Sequence, residues 1–99
     1  MSDIIVLGIF VADATYRMPR LPVMGETLLG GGFALGPGGK GSNQAVAAAR
    51  AGASVTMLTR LGRDTFGDMA EAVWRDAGVR PGAERVEEAT GSACILVDD

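Results

Sequence analysis

Ninety-nine residues bound the chain to one small domain with one core, and 47% hydrophobic but only 5% aromatic residues, with 15 glycines, suit a finely packed aliphatic α/β fold. Nine basic and twelve acidic residues are scattered, giving a net charge of −3 and no basic patch for nucleic acid or an anionic membrane. With no histidine and a single cysteine, His-based triads, most catalytic zinc sites and an internal disulfide are excluded.

Ile4 to Phe10 is a continuous apolar run rich in branched residues, bounded by Asp3 and Asp13. It predicts a central strand buried on both faces of a parallel sheet. The nine residues from Ile4 to Ala12 are too few to span a bilayer, and Met1-Ser2-Asp3 lacks the positive charge of a secretory signal, so a cytoplasmic location is expected. Asp13 falls at the carboxyl end of this strand, the ligand-binding side of an open parallel sheet, and can accept two hydroxyl hydrogens.

Residues 14 to 36 change character, with Pro19, Pro22, Gly25 and the triplet Gly30 to Gly32. These exclude a long helix and predict edge strands joined by turns, a small accessory flap. Ser42 then serves as N-cap to a helix reaching about Ala51, with Gly52 just beyond it and Ala45, Ala47, Ala48 and Ala49 allowing close approach to a sheet. Ser54 to Thr59 reads as the next strand, completing an order for which a right-handed parallel crossover is the natural topology.

Asp64 or Thr65 caps a second helix, with Phe66, Met69, Ala70, Val73 and Ala77 on one stripe, Trp74 at its border and Gly78 at its end. A polar loop from Arg80 to Thr90 leads to a last strand, Gly91 to Val97, in which Cys94 is expected as a buried, inert thiol. Three or four strands and two helices leave sheet edges and a helix-facing surface uncovered, so truncation is expected.

The segment from Gly36 to Asn43 (GPGGKGSN) resembles two nucleotide motifs. A P-loop needs Ser or Thr directly after the lysine and glycine five before Gly39; Gly41 and Ala34 stand there instead. The dinucleotide fingerprint matches Gly36, Gly38 and Gly41, but the first strand lies roughly 25 residues upstream and no acidic residue closes the following strand. What remains is a glycine turn at a helix N-terminus whose free N–H groups accept oxygen atoms. With the Lys40 ammonium, the Asn43 amide and the Asp13 carboxylate it forms a polyol pocket; on the alternative reading the glycines only make a tight turn and Lys40 is solvated.

Gly38 to Arg50 (GGKGSNQAVAAAR), Ala51-Gly52-Ala53, Leu61-Gly62-Arg63-Asp64 and Gly67 together resemble the amino-terminal signature of ribokinase and the wider phosphofructokinase-B sugar kinase family. Ile5 to Gly8 with Ala12-Asp13 resembles the family's first strand and sugar-binding aspartate. Pro22 to Thr27 resembles its lid hairpin, and Thr90 to Ala93 with Ile95 to Val97 its returning lid strand.

The resemblance implies a ribokinase-like parallel sheet with flanking helices and a small β-lid. Residues 1–13 and 37–79 would belong to the core, and 14–36 and 91–97 to the lid strands. It implies ATP-dependent phosphorylation of a sugar or related polyol at a primary hydroxyl, and a homodimer through the lid. Asp13 would bind substrate hydroxyls, the backbone of Gly38, Gly39, Lys40 and Gly41 would line the pocket, and Lys40 and Asn43 would hydrogen-bond the sugar. Phe33 and its flap neighbours would close over it, and lid closure would exclude water.

Val11 stands where ribokinases usually carry asparagine, so an amide for one sugar hydroxyl is lost, which weighs against ribose. No segment resembles the family's G-A-G-D stretch with its catalytic aspartate. Asp64, Asp68 and Glu71 read as a cap and a solvated helix face, so no catalytic residue is assigned. ATP, Mg²⁺ and a monovalent cation are expected to bind through a carboxyl-terminal half outside this chain, leaving these 99 residues inactive alone. The competing reading is a non-catalytic module that binds a polyol or dimerises. A nucleotide-binding oxidoreductase is set aside by the missing acidic residue.

Overall fold

The computed structural model describes residues 3–99; Met1 and Ser2, read above as part of an amino terminus without positive charge, lie outside them. The elements follow in the order β1 (Ile4–Leu7), β2 (Val11–Arg17), β3 (Gly32–Gly38), α1 (Lys40–Arg50), β4 (Val55–Gly62), α2 (Thr65–Ala77), β5 (Val79–Val86) and β6 (Ser92–Val97). They form an α/β core, in which β1, β4 and β5 make a parallel sheet in the order β1-β4-β5, and a second sheet in the order β3-β2-β6. In that lid sheet β3 runs antiparallel and β6 parallel to β2. The radius of gyration is 15.8 Å, against about 13 Å for a compact chain of this size, because the lid projects from the core.

Both helices end as their local chemistry dictates. Gly52 (φ 104°) and Gly78 (φ 85°) take the positive φ that a helix stop favours, and Asp64 caps α2 by accepting the Gly67 N–H at 2.8 Å. The N-terminus of α1 is different. Its cap is Gly39 (φ 93°), with no side-chain bond, and Ser42 lies inside the helix. The Ser42 hydroxyl is fully buried and accepts the Trp74 indole N–H at 3.0 Å. Trp74 is therefore not at the border of its stripe but at the centre of the core, fully buried, with its ring edge-on to Phe10 at 6.1 Å. Met57, Leu61, Val55 and Val79 complete that core.

The apolar run from Ile4 to Phe10 is not one strand. β1 stops at Leu7, Gly8 packs against Gly41 with a notional Cβ 3.0 Å from its Cα, and the chain crosses through Ile9 and Phe10 into the second sheet. Asp13 consequently sits third in lid strand β2 rather than at the end of a core strand. Nor is β1 buried on both faces: Ile5 is 63% and Leu7 84% exposed, because the helices cover only the face bearing Val6, Met57 and Val79.

Residues 80 to 86 of the expected polar loop are part of β5, in which Val79, Pro81 and Ala83 are more buried than Arg80, Gly82 and Glu84. Pro81 is tolerated because β5 is an edge strand of the sheet as described. Cys94 is exposed rather than buried, on the uncovered lid face it shares with Tyr16, Phe33 and Leu96. The expected hairpin at Pro22 to Thr27 is a turn, held by the Arg20 guanidinium gripping both Glu26 oxygens at 2.7 and 2.6 Å; the paired strands lie to either side of it.

Candidate functional site

The glycine-rich segment is less of a loop than its composition suggests. Gly36, Pro37 and Gly38 close β3, Lys40 already opens α1, and Gly39 alone makes the turn between them. This turn presses the start of α1 against the β1–β2 crossing. The Ser42 N–H reaches the Ile9 carbonyl at 3.3 Å and the Asn43 N–H closes the first helical bond to Gly39 at 2.9 Å. Among the described residues the Lys40 and Gly41 amides have no such partner, and the first turn holds no acidic residue, so the positive end of α1 is free to meet a ligand's oxygen atoms.

A cleft of about 660 Å³ lies where the two sheets meet, and it gathers Val11, Asp13, Gly39, Lys40, Gly41 and Asn43. Ile9 and Gln44 line it too; nothing in their local sequence marks them out. Gly38 does not line the cleft but fixes what stands in it. Asp13 pairs with Gly36, and its carboxylate leans diagonally over Gly38, where a Cβ would come within 2.3 Å of Oδ2. Phe33 is on the other face of the lid, its ring tilted at 49° against that of Tyr16 with centroids 5.1 Å apart, and lines a separate apolar hollow of about 620 Å³ rather than the cleft. The cleft thus joins a carboxylate acceptor, an ammonium, an amide and two free backbone donors around an aliphatic patch at Val11, a set that matches clustered hydroxyl groups.

The motif from Leu61 to Asp64 lies elsewhere. Asp64 accepts the Thr90 N–H at 2.8 Å, the Thr90 hydroxyl at 2.7 Å and the Gly67 N–H at 2.8 Å, and these donors, in that order, hold its carboxyl below the ordinary aspartate value. Arg85 binds Glu71, Asp68 and the Gly62 carbonyl, and those carboxylates, Glu71 foremost, raise its pKa. Asp68 and Glu71 therefore belong to an ion-pair network rather than to a simple solvated face. Among the described residues no group of three or more His, Cys, Asp or Glu could hold a metal ion.

Since the folded-state pKa of Asp64 is lowered, its stabilising effect is complete above the unfolded value of about 3.9 and is lost as pH falls through the folded value. Asp64→Asn is expected to flatten the loss of stability below about pH 4. Urea midpoints measured on either side of that pH give the comparison.

The family description "pfkB family carbohydrate kinase" matches residues 1–99. The chain is 38% identical to the ribokinase of Lactococcus lactis subsp. lactis over 101 residues, covering all of this chain and 34% of that protein. The solved structure of ribokinase from Giardia lamblia superposes with a TM-score of 0.92 at 33% identity, covering 100% of this chain and 33% of that one. Arabidopsis thaliana ribokinase complexed with ribose and ATP follows at a TM-score of 0.84 and 32% identity, covering 98% of this chain and 32% of that one. The chain spans about a third of the length of these relatives.

Proposed function

The chain belongs to the pfkB family of carbohydrate kinases, and from that premise we propose that it is the amino-terminal, substrate-binding portion of an ATP-dependent kinase that phosphorylates a hydroxyl of a sugar or related polyol. One observation carries the reading: Asp13 from the lid and Lys40 and Asn43 from the start of α1 share one cleft. Asp13 accepts from two hydroxyls, while Lys40, Asn43 and the Lys40 and Gly41 amides donate to sugar oxygens. Val11 gives that cleft an aliphatic wall, which favours a substrate presenting a C–H face at that point over one that needs an amide there. The Arabidopsis relative's complex with ribose and ATP supports the substrate class.

On the family resemblance, ATP, Mg²⁺ and a monovalent cation are assigned to parts of the protein outside these residues. The catalytic step is assigned there as well. No described helix is long and apolar enough to cross a membrane, and the reading places the protein in the cytoplasm. A second reading, a polyol-binding or dimerisation module, draws on the bare lid face, where Tyr16 is 42% and Phe33 60% exposed. Both readings take that face as the place where two copies pair.

The test is calorimetric titration of pentoses, hexoses and nucleosides into this chain, and ADP release with ATP and Mg²⁺ from a longer polypeptide that contains it. Lys40→Ala and Asn43→Ala are each expected to weaken sugar binding about tenfold, the loss of one hydrogen bond, and to leave ATP binding unchanged. Gly38→Ala, which evicts the Asp13 carboxylate from its seat, is expected to weaken it at least as much with the fold intact. Silence across the panel, or equal loss of sugar and ATP binding, would count against the polyol cleft. Sugar binding without ADP release from the longer polypeptide would favour the module.

A further inference from the structure

The chain passes between core and lid at three places: Gly8 to Phe10, Gly39, and residues 87 to 91 between β5 and β6. The third crossing is bolted to the core through Thr90, which is 7% exposed. Its hydroxyl accepts the Gly62 N–H at 2.8 Å and donates to Asp64 Oδ1 at 2.7 Å, while its own N–H donates to Asp64 Oδ2 at 2.8 Å. Gly62 and Gly67 leave the space this needs. A Cβ on Gly62 would stand 2.5 Å from Asp64 Oδ2 and 2.7 Å from Thr90 N, and one on Gly67 would stand 2.3 Å from the Gly62 carbonyl oxygen. The next residue continues the chain of contacts, for the Gly91 carbonyl accepts the N–H of fully buried Ala12 at 2.9 Å. Ala12 immediately precedes Asp13, and its pairing with Ser92 starts the β2–β6 ladder.

A helix cap alone needs one acceptor for one first-turn N–H. Asp64 does that with the Gly67 N–H and also commits both oxygens to Thr90, within the core–lid crossing. We propose that Asp64 and Thr90 are positioning residues, a bolt that fixes the root of lid strand β6 and, through Gly91 and Ala12, sets where the Asp13 carboxylate stands in the cleft. Neither residue lines the cleft. The proposal rests on the polyol reading of the cleft for its consequence in binding, but the bolt itself has a readout without ligand.

Thr90→Val keeps the shape of the side chain and removes both hydroxyl bonds; Thr90→Ser restores them. In Thr90→Val, amide exchange at Ala12 and along β6 is expected to accelerate about tenfold or more relative to β4 and α1, and the Asp13 carboxyl ¹³C resonance to shift. Both should return toward the parent values in Thr90→Ser. Calorimetry with D-ribose, 2-deoxy-D-ribose, D-fructose and adenosine should show about tenfold weaker binding of the best ligand by Thr90→Val and recovery by Thr90→Ser.

Uniform acceleration across lid and core, an unmoved Asp13 resonance, or faster lid exchange with unchanged affinity would each overturn the bolt. If none of the four compounds binds the parent chain, or if Asp13→Asn leaves binding intact, the polyol reading fails instead, and exchange and the Asp13 resonance decide the bolt alone. Should Thr90→Val fail to fold, Asp64→Asn, which keeps an acceptor for Gly67 and turns a donor toward the Thr90 N–H, carries the same expectations.

Discussion

Trp74→Ala is expected to cost about 3–5 kcal/mol, the range for removing a large buried aromatic side chain. Three contributions disappear together. The fully buried indole leaves a void in the core it shares with Met57, Leu61 and Val79, the edge-on contact with Phe10 is lost, and the buried Ser42 hydroxyl loses its donor. A domain of this size has about 5–15 kcal/mol in total, so the urea midpoint should fall by about 2 M or the chain should not fold at all. Circular dichroism is the measurement, because the substitution removes the only tryptophan. Trp74→Phe refills most of the volume and should recover the larger part, leaving a deficit of about 1–3 kcal/mol for the stranded hydroxyl. An equal loss in both variants would show that the Ser42 bond, rather than packing, dominates.

Gly39→Ala should be the most damaging change on the glycine-rich segment. At φ 93° any side chain is strained, and a Cβ here would stand 2.4 Å from the Ile9 carbonyl oxygen and 3.1 Å from Phe10 Cα, both backbone atoms that cannot rotate away. Strain of this kind costs about 1–3 kcal/mol before the collision is counted. Relief would require α1 to withdraw from the β1–β2 crossing, breaking the bond from the Ser42 N–H to Ile9. The expected result is a Tm lower by about 10 °C or more. Gly52→Ala supplies the control, since Gly52 has a similar φ of 104° but nothing within 4 Å of its would-be Cβ. It should show the backbone strain alone, about 1–2 kcal/mol. Matching losses at the two glycines would mean that the Ile9 contact yields easily and that Gly39 is present only for its turn.

The parts of the fold legible in the sequence are those settled within a few residues. Gly52, Gly78 and Asp64 mark helix ends because a stop or a cap is a local event. The run Ile4 to Phe10 misleads because hydropathy registers burial but not the sheet to which a residue belongs, and here one apolar run serves β1 and the crossing beyond it. β5 is obscured by the charges and Pro81 that an edge strand tolerates. Trp74 and Ser42 lie 32 residues apart, and Thr90 lies 28 from Gly62, so no local pattern announces either pair. In the candidate cleft, residue types and family resemblance already grouped Asp13, Lys40 and Asn43, which the fold places along one lining. The seat that Gly38 provides for Asp13 appears only once β2 and β3 are in register.

The exposed thiol of Cys94 gives the molecule a built-in ruler. The chain has one cysteine, on the lid, and one tryptophan, in the core. An acceptor dye coupled to Cys94 would therefore report, by energy transfer from Trp74, how far the lid stands from the core in the otherwise unaltered polypeptide. The same thiol lies on the lid face proposed above for pairing, so slower labelling at rising protein concentration would support that pairing and an unchanged rate would count against it.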